Sequence, residues 1–568
     1  MPTPRTRIDA GHIVAYQNDG HRYLRDGVIV VEGDQIVHVG RSCSGPADAR
    51  IDARTMLVTP GLINTHAHLA SSPLDKSFVE DRGRRQFYNS GLFEYLPARS
   101  AAQDEAASRA CIDYSMGELL RSATTTDLDI GPLAEYAAET AGRAGMRLYM
   151  GPGFRSGRWF TPDGKQVVYD WDEEAGRQGL RRAVAFIEQH DGAHGGRIKG
   201  FLSPLQVDTC TEELLRETRS VANDLEVPIE IHVSQSVNEF QEMVRRHGRT
   251  PIEWLSDIGF LGSDVILGHA IVIAGTSWAN FAGDDLRIMA DSGCSVAHAV
   301  WVFARRGVAM ESFARYLAAG VNMTLGTDTC PQSMLEAMKF AAVISKIVER
   351  QTEVATAADV FGAATLGGAR ALGRDDLGRI APGAKADLLF FDAASTSMVP
   401  LRDPIKNVVY SAQASDIHTV MVDGQIVVRD RKALNLDEQA AAQAVQEAGE
   451  RTWAQMGAAD WANRDADQLS PQSFPIWEEP AVSGHESPPP RTSCCRSFVH
   501  ELKAPPGGPI LSRAEGSNRP RESWRHALLG LWRGAAYRVE VLQLLRVGPG
   551  HGVCSVRPRQ SAGQPLLH

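Results

Sequence analysis

Six residues in this sequence have the types and positions that could support metal chemistry. Two histidines, His66 and His68, lie one residue apart in the segment TPGLINTHAHLA. The other four each follow an apolar run later in the chain: His232 in PIEIHVS, His269 in DVILGHA, His298 in CSVAHAV and Asp328 in LGTDT. Imidazole nitrogens and carboxylate oxygens are suitable ligands for Zn²⁺ or Fe²⁺. A His-x-His pair alone is a weak signal, because two surface histidines on a half-exposed strand give the same pattern.

The segments around these residues predict how they meet. Eight strand candidates alternate with helical segments between about residues 60 and 375, and the six polar residues stand where such strands end. This alternation indicates an α/β fold with a (β/α)8 barrel, in which the carboxyl ends of the strands converge on one face. We therefore expect the six residues to share one site, although each alone is more simply explained as a core or loop residue.

β-rich segments flank the predicted barrel on both sides. GVIVVEGDQIVHVG and IHTVMVDGQIVVRD each contain two apolar runs joined by a tight turn with Gly and Asp, which is typical of a β-hairpin. We expect residues 1–59 and 376–440 to form one composite β-sandwich, residues 60–375 to form the barrel, and residues 441–478 to form a helical segment.

The composition changes at residue 479. Residues 479–568 contain no Asp, one Lys, eleven Arg and eleven Pro, and they show no sustained hydrophobic period. We interpret this stretch as an atypical, disordered extension. A basic interaction arm is the alternative interpretation.

The overall composition is that of an ordinary soluble globular protein, with 43% apolar and 23% charged residues in a chain of 568. A formal charge of -10 argues against nucleic acid or an anionic membrane as partner. The sequence has no run that is apolar enough to span a membrane and no apolar leader segment. Its eight cysteines are scattered without a CxxC pair, which indicates neither a disulfide framework nor a thiolate zinc site. We expect a cytoplasmic homo-oligomer that acts on a small-molecule substrate.

The motifs PGLINTHAHLA, PIEIHVSQSVNEF, VILGHA, VAHA and LGTDT, in this order, resemble those of the metal-dependent amidohydrolase superfamily. The nearest branch is the cytosine deaminase-like, triazine and chlorohydrolase group, and the resemblance covers about residues 5–478. It implies a (β/α)8 TIM barrel with a small β-sandwich domain. It also implies one divalent metal ion per chain, zinc or else iron, bound by His66, His68, His232 and Asp328.

The resemblance also implies roles for the remaining residues. Asp328 would take a proton from the attacking water and deliver it to the leaving group, while His269 would orient that water and stabilise the oxyanion. His298 would face the substrate. A second metal is not expected, because Lys199 begins its strand and so lies at the opposite end of the barrel from the site.

Three positions depart from the pattern of the relatives. Gln235 stands where deaminases of this group have the glutamate of an H-x-x-E motif, and an amide cannot donate and recover a proton at neutral pH. Glu239 is an alternative acid if its loop folds back. Gln206 occurs in the fourth strand segment where a histidine is common, and Trp301 follows the seventh strand. We take Gln206, Gln235 and Trp301, with His298, as substrate-binding candidates.

The predicted function is hydrolysis of a non-peptide carbon–nitrogen bond by attack of metal-bound hydroxide. Because the acid at position 235 is missing, the substrate classes that fit best are amides, ureas, carbamates and amino-substituted rings. Deamination of a nucleobase-like or triazine heterocycle and hydrolytic dechlorination are the alternatives within the class. Outside the class, the alternative is a catalytically dead barrel scaffold, which the retention of all four ligands disfavours.

Overall fold

The computed structural model describes residues 3–78 and 84–478, so the predicted extension at 479–568 lies outside the described residues. The strands in chain order are β1 (Arg5–Gln17), β2 (Gly20–Glu32), β3 (Gln35–Gly40), β4 (Ala49–Pro60), β5 (Leu62–Ala67), β6 (Thr124–Gly131), β7 (Arg147–Phe154), β8 (Gly157–Phe160), β9 (Val168–Trp171), β10 (Ile198–Gly200), β11 (Ser203–Pro204), β12 (Ile229–Val233), β13 (Val265–His269), β14 (Ser295–His298), β15 (Asn322–Leu325), β16 (Leu388–Asp392), β17 (Ile417–Val422), β18 (Gln425–Arg429) and β19 (Lys432–Ala433).

Helices separate most of the strands from β5 onwards. In chain order they are α1 (Tyr95–Ala102), α2 (Glu105–Arg121), α3 (Ala134–Ala144), α4 (Glu173–His190), α5 (Ala193–Gly196), α6 (Glu212–Leu225), α7 (Val237–His247), α8 (Pro251–Asp257), α9 (Asp285–Ser292), α10 (Val300–Ala304), α11 (Phe313–Ala319), α12 (Met334–Glu349), α13 (Ala357–Gly362), α14 (Gly368–Ala371), α15 (Pro404–Tyr410), α16 (Glu438–Ala459) and α17 (Ala466–Leu469). In the described part of the chain, no helix is both long and apolar enough to cross a membrane.

Strands from residues 5–60 and from residues 388–433 meet in one eight-stranded sheet with the order β19-β18-β17-β16-β4-β1-β2-β3. The junction is between β4 and β16, which pair antiparallel from Leu388↔Pro60 to Asp392↔Met56. Both predicted hairpins are present, β2–β3 and β17–β18, and Asp423 and Gly424 in the second turn have the positive φ angles that a tight hairpin turn requires. The expected partnership of the two ends is thus observed as a single sheet. A two-sheet β-sandwich is not confirmed, and the predicted domain limits remain predictions.

The segment between the two ends contains two sheets whose strands are all parallel. One sheet has the order β10-β7-β6-β5 with β11 beside β7, and the other has the order β12-β13-β14-β15. Each of the eight strand segments predicted from the sequence contains at least one of these nine strands, and the fourth segment, IKGFLSPLQ, contains both β10 and β11. Isolated parallel bridges join the two sheets at both edges, at Leu202↔Ile229 and at Ala67↔Asp328. The chain is therefore of the α/β class, with parallel strands alternating with helices.

The helices around these strands bury one face each, as α6 illustrates. The hydroxyl of Thr211 caps α6 by accepting a hydrogen bond from the amide of Leu214 at 3.3 Å. Leu214, Leu215, Thr218 and Ala222 are buried, and their spacing places them on one side of the helix. Burial of each such leucine contributes about 1.5–3 kcal/mol.

A buried arginine connects the parallel strands to the terminal sheet. Arg147 begins β7, and its guanidinium donates to Asp387 at 3.2 Å and to Asp423 at 2.5 Å. All three side chains are almost completely buried. Burial opposes the charge of Arg147, but the two carboxylates outweigh that effect and raise the pKa of Arg147. Removal of the arginine would leave two carboxylates without their counter-ion in the protein interior.

Strand β4 continues almost directly into β5, which contains His66 and is followed directly by His68. Gly61 is the residue between the strands, and its amide donates to the carbonyl of Asp387 at 2.9 Å. A side chain at this position would lie 2.0 Å from the Thr125 hydroxyl, so only glycine fits. The Pro-Gly of the TPGLINTHAH motif therefore fixes where β5 begins, and with it the position of His66 and His68.

Candidate active site

Five side chains that the sequence predicts for one site do converge where the parallel strands end. Two groups of potential ligand atoms lie within 4.8 Å of one another, one from His66, His68 and His232, and the other from His66, His269 and Asp328. His66 belongs to both groups, so the two groups form one cluster. The four predicted metal ligands are part of this cluster, together with His269.

Hydrogen bonds to backbone carbonyls orient two of the imidazoles. The Nδ1 atom of His68 lies 2.7 Å from the carbonyl of Ile130, and that of His232 lies 2.6 Å from the carbonyl of Leu205. Because a carbonyl can only accept, each Nδ1 carries the proton and each Nε2 carries a lone pair. The two Nε2 atoms lie 3.1 Å apart.

His66 is held by a buried carboxylate instead of a carbonyl. Its Nδ1 atom lies 2.5 Å from Oε1 of Glu230, and both side chains are fully buried. The Nε2 atom of His66 faces the cluster and has no hydrogen-bond partner among the described residues. Histidine ligands of metals characteristically donate their other ring N–H to a carboxylate or carbonyl in this way.

Asp328 is fixed by backbone contacts to β5. Its amide donates to the carbonyl of His66 at 2.9 Å, and its carbonyl accepts from the amide of His68 at 3.0 Å. Its φ angle is +59°, a left-handed conformation that is uncommon for residues other than glycine and recurs at functional sites. Asn64 supports the same turn, because its carbonyl oxygen accepts from the amide of Thr327 at 2.9 Å.

His269 completes the cluster beside Asp328. Its Nε2 atom lies 3.7 Å from Oδ2 of Asp328, and neither ring nitrogen has a hydrogen-bond partner among the described residues. The ring of Phe303 packs edge-on against it, with ring centroids 4.7 Å apart. His269 also has a positive φ angle, +84°.

The donor set fits a divalent metal ion. Burial lowers the pKa values of His68 and His232, which favours neutral imidazoles with free lone pairs. Burial also opposes the charge of His66, but Glu230 and Asp328 outweigh it and raise the pKa of His66; a cation beside its Nε2 atom would favour the neutral form. Two lone pairs 3.1 Å apart, as on His68 and His232, repel each other unless a cation lies near both. Three neutral imidazoles and one carboxylate are ligands that zinc or ferrous iron accepts.

A cavity of about 840 Å³ opens onto the cluster. His68, His232, His269 and Asp328 line it together with apolar side chains such as Leu92, Val272 and Phe303. A volume of this size accommodates a small organic molecule. The cluster therefore stands at the wall of a ligand-sized cavity.

Two of the four predicted substrate contacts line this cavity. Gln206 and Gln235 are both in its wall. Glu239 does not take the place of Gln235, because its carboxylate lies under the loop and accepts from the amides of Ser234 and Gln235 at 2.5 and 3.1 Å. Glu239 thus holds the loop that presents Gln235.

The other two predicted substrate contacts lie elsewhere. His298 and Trp301 are not among the described residues that line the cavity. His298 is buried at the end of β14, with its ring centroid 5.9 Å from that of Phe313, and burial lowers its pKa to about 4. Trp301 stacks on Phe340 of α12 at 4.3 Å. The expectation that these two side chains face the substrate therefore has no support in the geometry, because both are packed against aromatic neighbours.

Glu230 is a site residue that the sequence motifs did not predict. This residue precedes His232 by two positions on β12, so both side chains point to the same face of the strand. The only local signal is in PIEIHV, where an acid lies within an apolar run two residues before a histidine; the burial of every position of β12 is visible only in the structure. A buried acid near a metal-binding histidine is a candidate for orienting another ligand.

Comparisons with known proteins agree with this geometry. The sequence model of the amidohydrolase family matches residues 57–427. A protein of Methanosarcina barkeri named 5'-deoxyadenosine deaminase is 31% identical over 433 residues, which covers 75% of this chain and 94% of the relative. A 5-methylthioadenosine/S-adenosylhomocysteine deaminase of Thermococcus onnurineus is 30% identical over 408 residues, covering 71% and 90%.

The fold also matches a solved structure. Atrazine chlorohydrolase of Arthrobacter aurescens, crystallised with zinc, superposes with a TM-score of 0.68 at 21% identity, covering 78% of this chain and all of that one (100%). The resemblance predicted from the motifs is therefore confirmed. The chain belongs to the amidohydrolase family, and it is a hydrolase that acts on carbon–nitrogen bonds other than peptide bonds.

Proposed function

We propose that this protein is a mononuclear metal-dependent hydrolase that releases an amine or ammonia from a small amide, urea, carbamate or amino-substituted ring. The observation that carries the proposal is the convergence of His66, His68, His232 and Asp328 at the wall of one cavity. These four residues would hold the ion. The zinc in the related crystal structure supports zinc as that ion.

A divalent ion held by these four residues would supply a water molecule whose pKa is lowered towards neutrality. Asp328 lies at the cavity wall and is locked to β5 through its backbone, so its carboxylate is positioned to accept a proton from water and return it to the leaving nitrogen. His269 lies beside Asp328 and lines the same cavity. It is positioned to orient the water and to stabilise negative charge that develops on the substrate oxygen.

Gln206 and Gln235 favour substrates that can react when hydrogen-bonded by the protein, without protonation of a ring nitrogen. Both amides lie at the cavity wall near His232, and Gln206 forms a backbone bridge to that residue. An amide side chain can donate to a carbonyl oxygen and accept from an N–H, but it cannot protonate a ring nitrogen. The carbonyl of an amide, urea or carbamate is electrophilic without such protonation, which is why these classes come first.

Deamination of an adenosine-like nucleoside is the second candidate. It is favoured by the names of the two deaminases that are similar to this chain over most of their length. This candidate requires some other route by which the ring nitrogen obtains a proton, since Glu239 is occupied beneath the loop.

We also propose that the two parallel sheets close into one barrel. The bridges at Leu202↔Ile229 and Ala67↔Asp328 support it, because they connect the two parallel sheets at both of their edges. A closed arrangement of eight parallel strands would bring all the strand ends that carry the cluster to one face.

A combined metal and product-release experiment tests the function. Elemental analysis of the full chain is expected to find about one tightly held divalent ion, as a four-ligand site requires. Ammonia, amine and halide release is then measured across ring amides, ureas, carbamates, aminotriazines and adenosine analogues. His66→Ala and Asp328→Ala are expected to abolish hydrolysis, whereas His38→Ala, in the terminal sheet, is expected to leave it unchanged. Full activity in either of the first two variants would refute the assignment.

A further inference from the structure

A second polar feature of the cavity, Arg155, takes no part in the metal cluster. Arg155 directly follows β7 and is half-buried in the cavity wall. Its guanidinium lies 6.0 Å from the ring centroid of the buried Trp159. Arg155 forms no hydrogen bond and no ion pair with any residue that the structure describes.

Among the described residues, no neighbouring carboxylate forms an ion pair with Arg155, although the charge of Asp208 attracts it. Asp208 is the acid that most affects it, but Asp208 is fully buried and accepts a hydrogen bond from the Tyr169 hydroxyl at 2.7 Å. On the far wall, Asp75 accepts from the Tyr95 hydroxyl at 2.7 Å.

The other acids of the cavity wall are also engaged or exposed. Glu105 pairs with Arg109 at 2.8 Å, and Asp104 caps α2 through the amide of Ala107 at 2.6 Å. Glu135 is exposed. No described residue takes the donors of the Arg155 guanidinium, so they are available to a ligand in a cavity whose wall also contains Arg99, Arg182 and Arg306.

Partial burial without a counter-ion is costly for a cation, and burial lowers the pKa of Arg155. An oxyanion supplied by a ligand would remove this cost. Arginine also offers a planar fork of donors that matches the two oxygens of a carboxylate.

The same cavity has apolar side chains in its wall. Leu133, Phe186 and Leu205 are among them. A ligand held by Arg155 would therefore have apolar surface within the same cavity for an apolar or aromatic body.

We propose that Arg155 is a specificity-determining residue that binds a carboxylate on the part of the substrate remote from the scissile carbon–nitrogen bond. This inference deepens the proposed function: hydrolysis of such substrates rests on the proposed function, whereas binding of the carboxylate by Arg155 does not. It predicts acidic substrates with an aromatic or apolar core.

Calorimetric binding of two matched probes tests the inference. The probes are 4-acetamidobenzoate and its methyl ester, which share the ring and the amide and differ in charge. The full-length holoenzyme is used, with the Asp328→Asn background if either probe is hydrolysed during the titration. The unsubstituted protein is expected to bind the carboxylate about 10- to 100-fold more tightly than the ester, the range expected for a charge-assisted contact.

Variants separate this contact from general electrostatics. Arg155→Gln is expected to lose the preference. Arg155→Lys, which keeps the charge but not the fork of donors, is expected to retain part of it and tests the same contact if Arg155→Gln fails to fold. Arg158→Gln is the matched control, because Arg158 also lies over an aromatic ring, Phe160, but pairs with Asp170 and does not line the cavity. It is expected to keep the full preference.

The outcomes distinguish this inference from the proposed function. Equal binding of both probes by the unsubstituted protein, or a preference that persists in Arg155→Gln, would overturn the role of Arg155. An equal loss in Arg158→Gln would also overturn it, since the effect would then come from overall charge. A carboxylate preference that depends on Arg155, in a protein that hydrolyses none of the panel compounds, would leave this inference standing and refute the proposed function.

Discussion

Replacement of Glu230 by glutamine is predicted to weaken metal binding without emptying the site. The side chain of Glu230 is fully buried, and its only hydrogen-bonded partner among the described residues is Nδ1 of His66 at 2.5 Å. Glutamine has nearly the same shape and can still accept from the imidazole, so the substitution removes the charge and little else. Loss of such an outer partner typically costs 10- to 100-fold in metal affinity. We expect a loss of that order, about 1.4–2.7 kcal/mol.

The measurement is competition with a chromophoric chelator. The metal-loaded protein is titrated with the chelator, and the fraction of metal released gives the affinity. Glu213→Gln is the matched control, because Glu213 is an exposed glutamate on α6. Thermal unfolding of the metal-free proteins shows whether the substitution also lowers stability in the absence of the ion.

Retention of the full metal affinity in Glu230→Gln would refute this role of Glu230. His66 would then be oriented by its own packing, and the buried carboxylate would have no part in metal binding. A loss of affinity in Glu213→Gln of the same size would also contradict it.

Three further predictions follow from contacts elsewhere in the molecule. Arg147→Met leaves two buried carboxylates without a counter-ion and is expected to lower the free energy of unfolding by about 3–5 kcal/mol. The control Arg158→Met breaks an exposed ion pair and is expected to lower it by about 0–1 kcal/mol. Chemical denaturation measures both free energies, and equal effects of the two substitutions would refute this role of Arg147. Gln235→Glu is expected to raise the rate of ring deamination by at least about 10²-fold through general acid catalysis and to leave the rate of amide hydrolysis largely unchanged. The product-release assay measures both rates, and an equal change in both would contradict this role for position 235. The imidazole of His21 lies 3.0 Å from the Thr365 hydroxyl, and burial lowers its pKa to about 4. As the pH falls, the unfolded chain therefore binds a proton at His21 from about pH 6.5, whereas the folded chain binds it only near pH 4. Stability is therefore expected to fall as the pH drops through this window, and His21→Gln should fall less; parallel curves for the two proteins in pH-dependent denaturation would contradict the assignment.

The strands that carry the site could be predicted from the sequence because their pattern is local. A run of buried residues that ends in a polar side chain, as in VILGH, is typical of parallel strands, whose two faces are both covered. The order of such strands then placed His66, His232 and Asp328 together without knowledge of any contact. The hairpins of the terminal sheet were equally local, since Asp423–Gly424 is a turn that few other conformations satisfy.

The remaining features depend on contacts that no local pattern encodes. Trp301 follows a strand end just as a substrate contact would, and only the position of Phe340 on α12 decides that it packs there. In the sequence, Glu230 has the pattern of a solvent-facing residue in an alternating strand. Only the structure shows that β12 is covered on both faces. Arg155 lies in a segment without a motif, and its lack of a counter-ion is visible only in three dimensions. The sequence predicted that the two β-rich segments meet, but the register in which β4 and β16 pair required the tertiary structure.

The junction of β4 and β16 has a consequence for the order in which the chain is made. While the ribosome is still translating the region before Leu388, the edge of β4 that will receive β16 has no strand beside it. The nascent chain then carries an open, largely apolar β-edge for more than 300 residues of synthesis, which is the kind of edge that recruits other chains. Arg147 must likewise wait for Asp387 and Asp423 before its charge is neutralised. Chains that terminate before β16 would therefore be expected to aggregate, and production of the full protein should respond to chaperones that shield exposed strands.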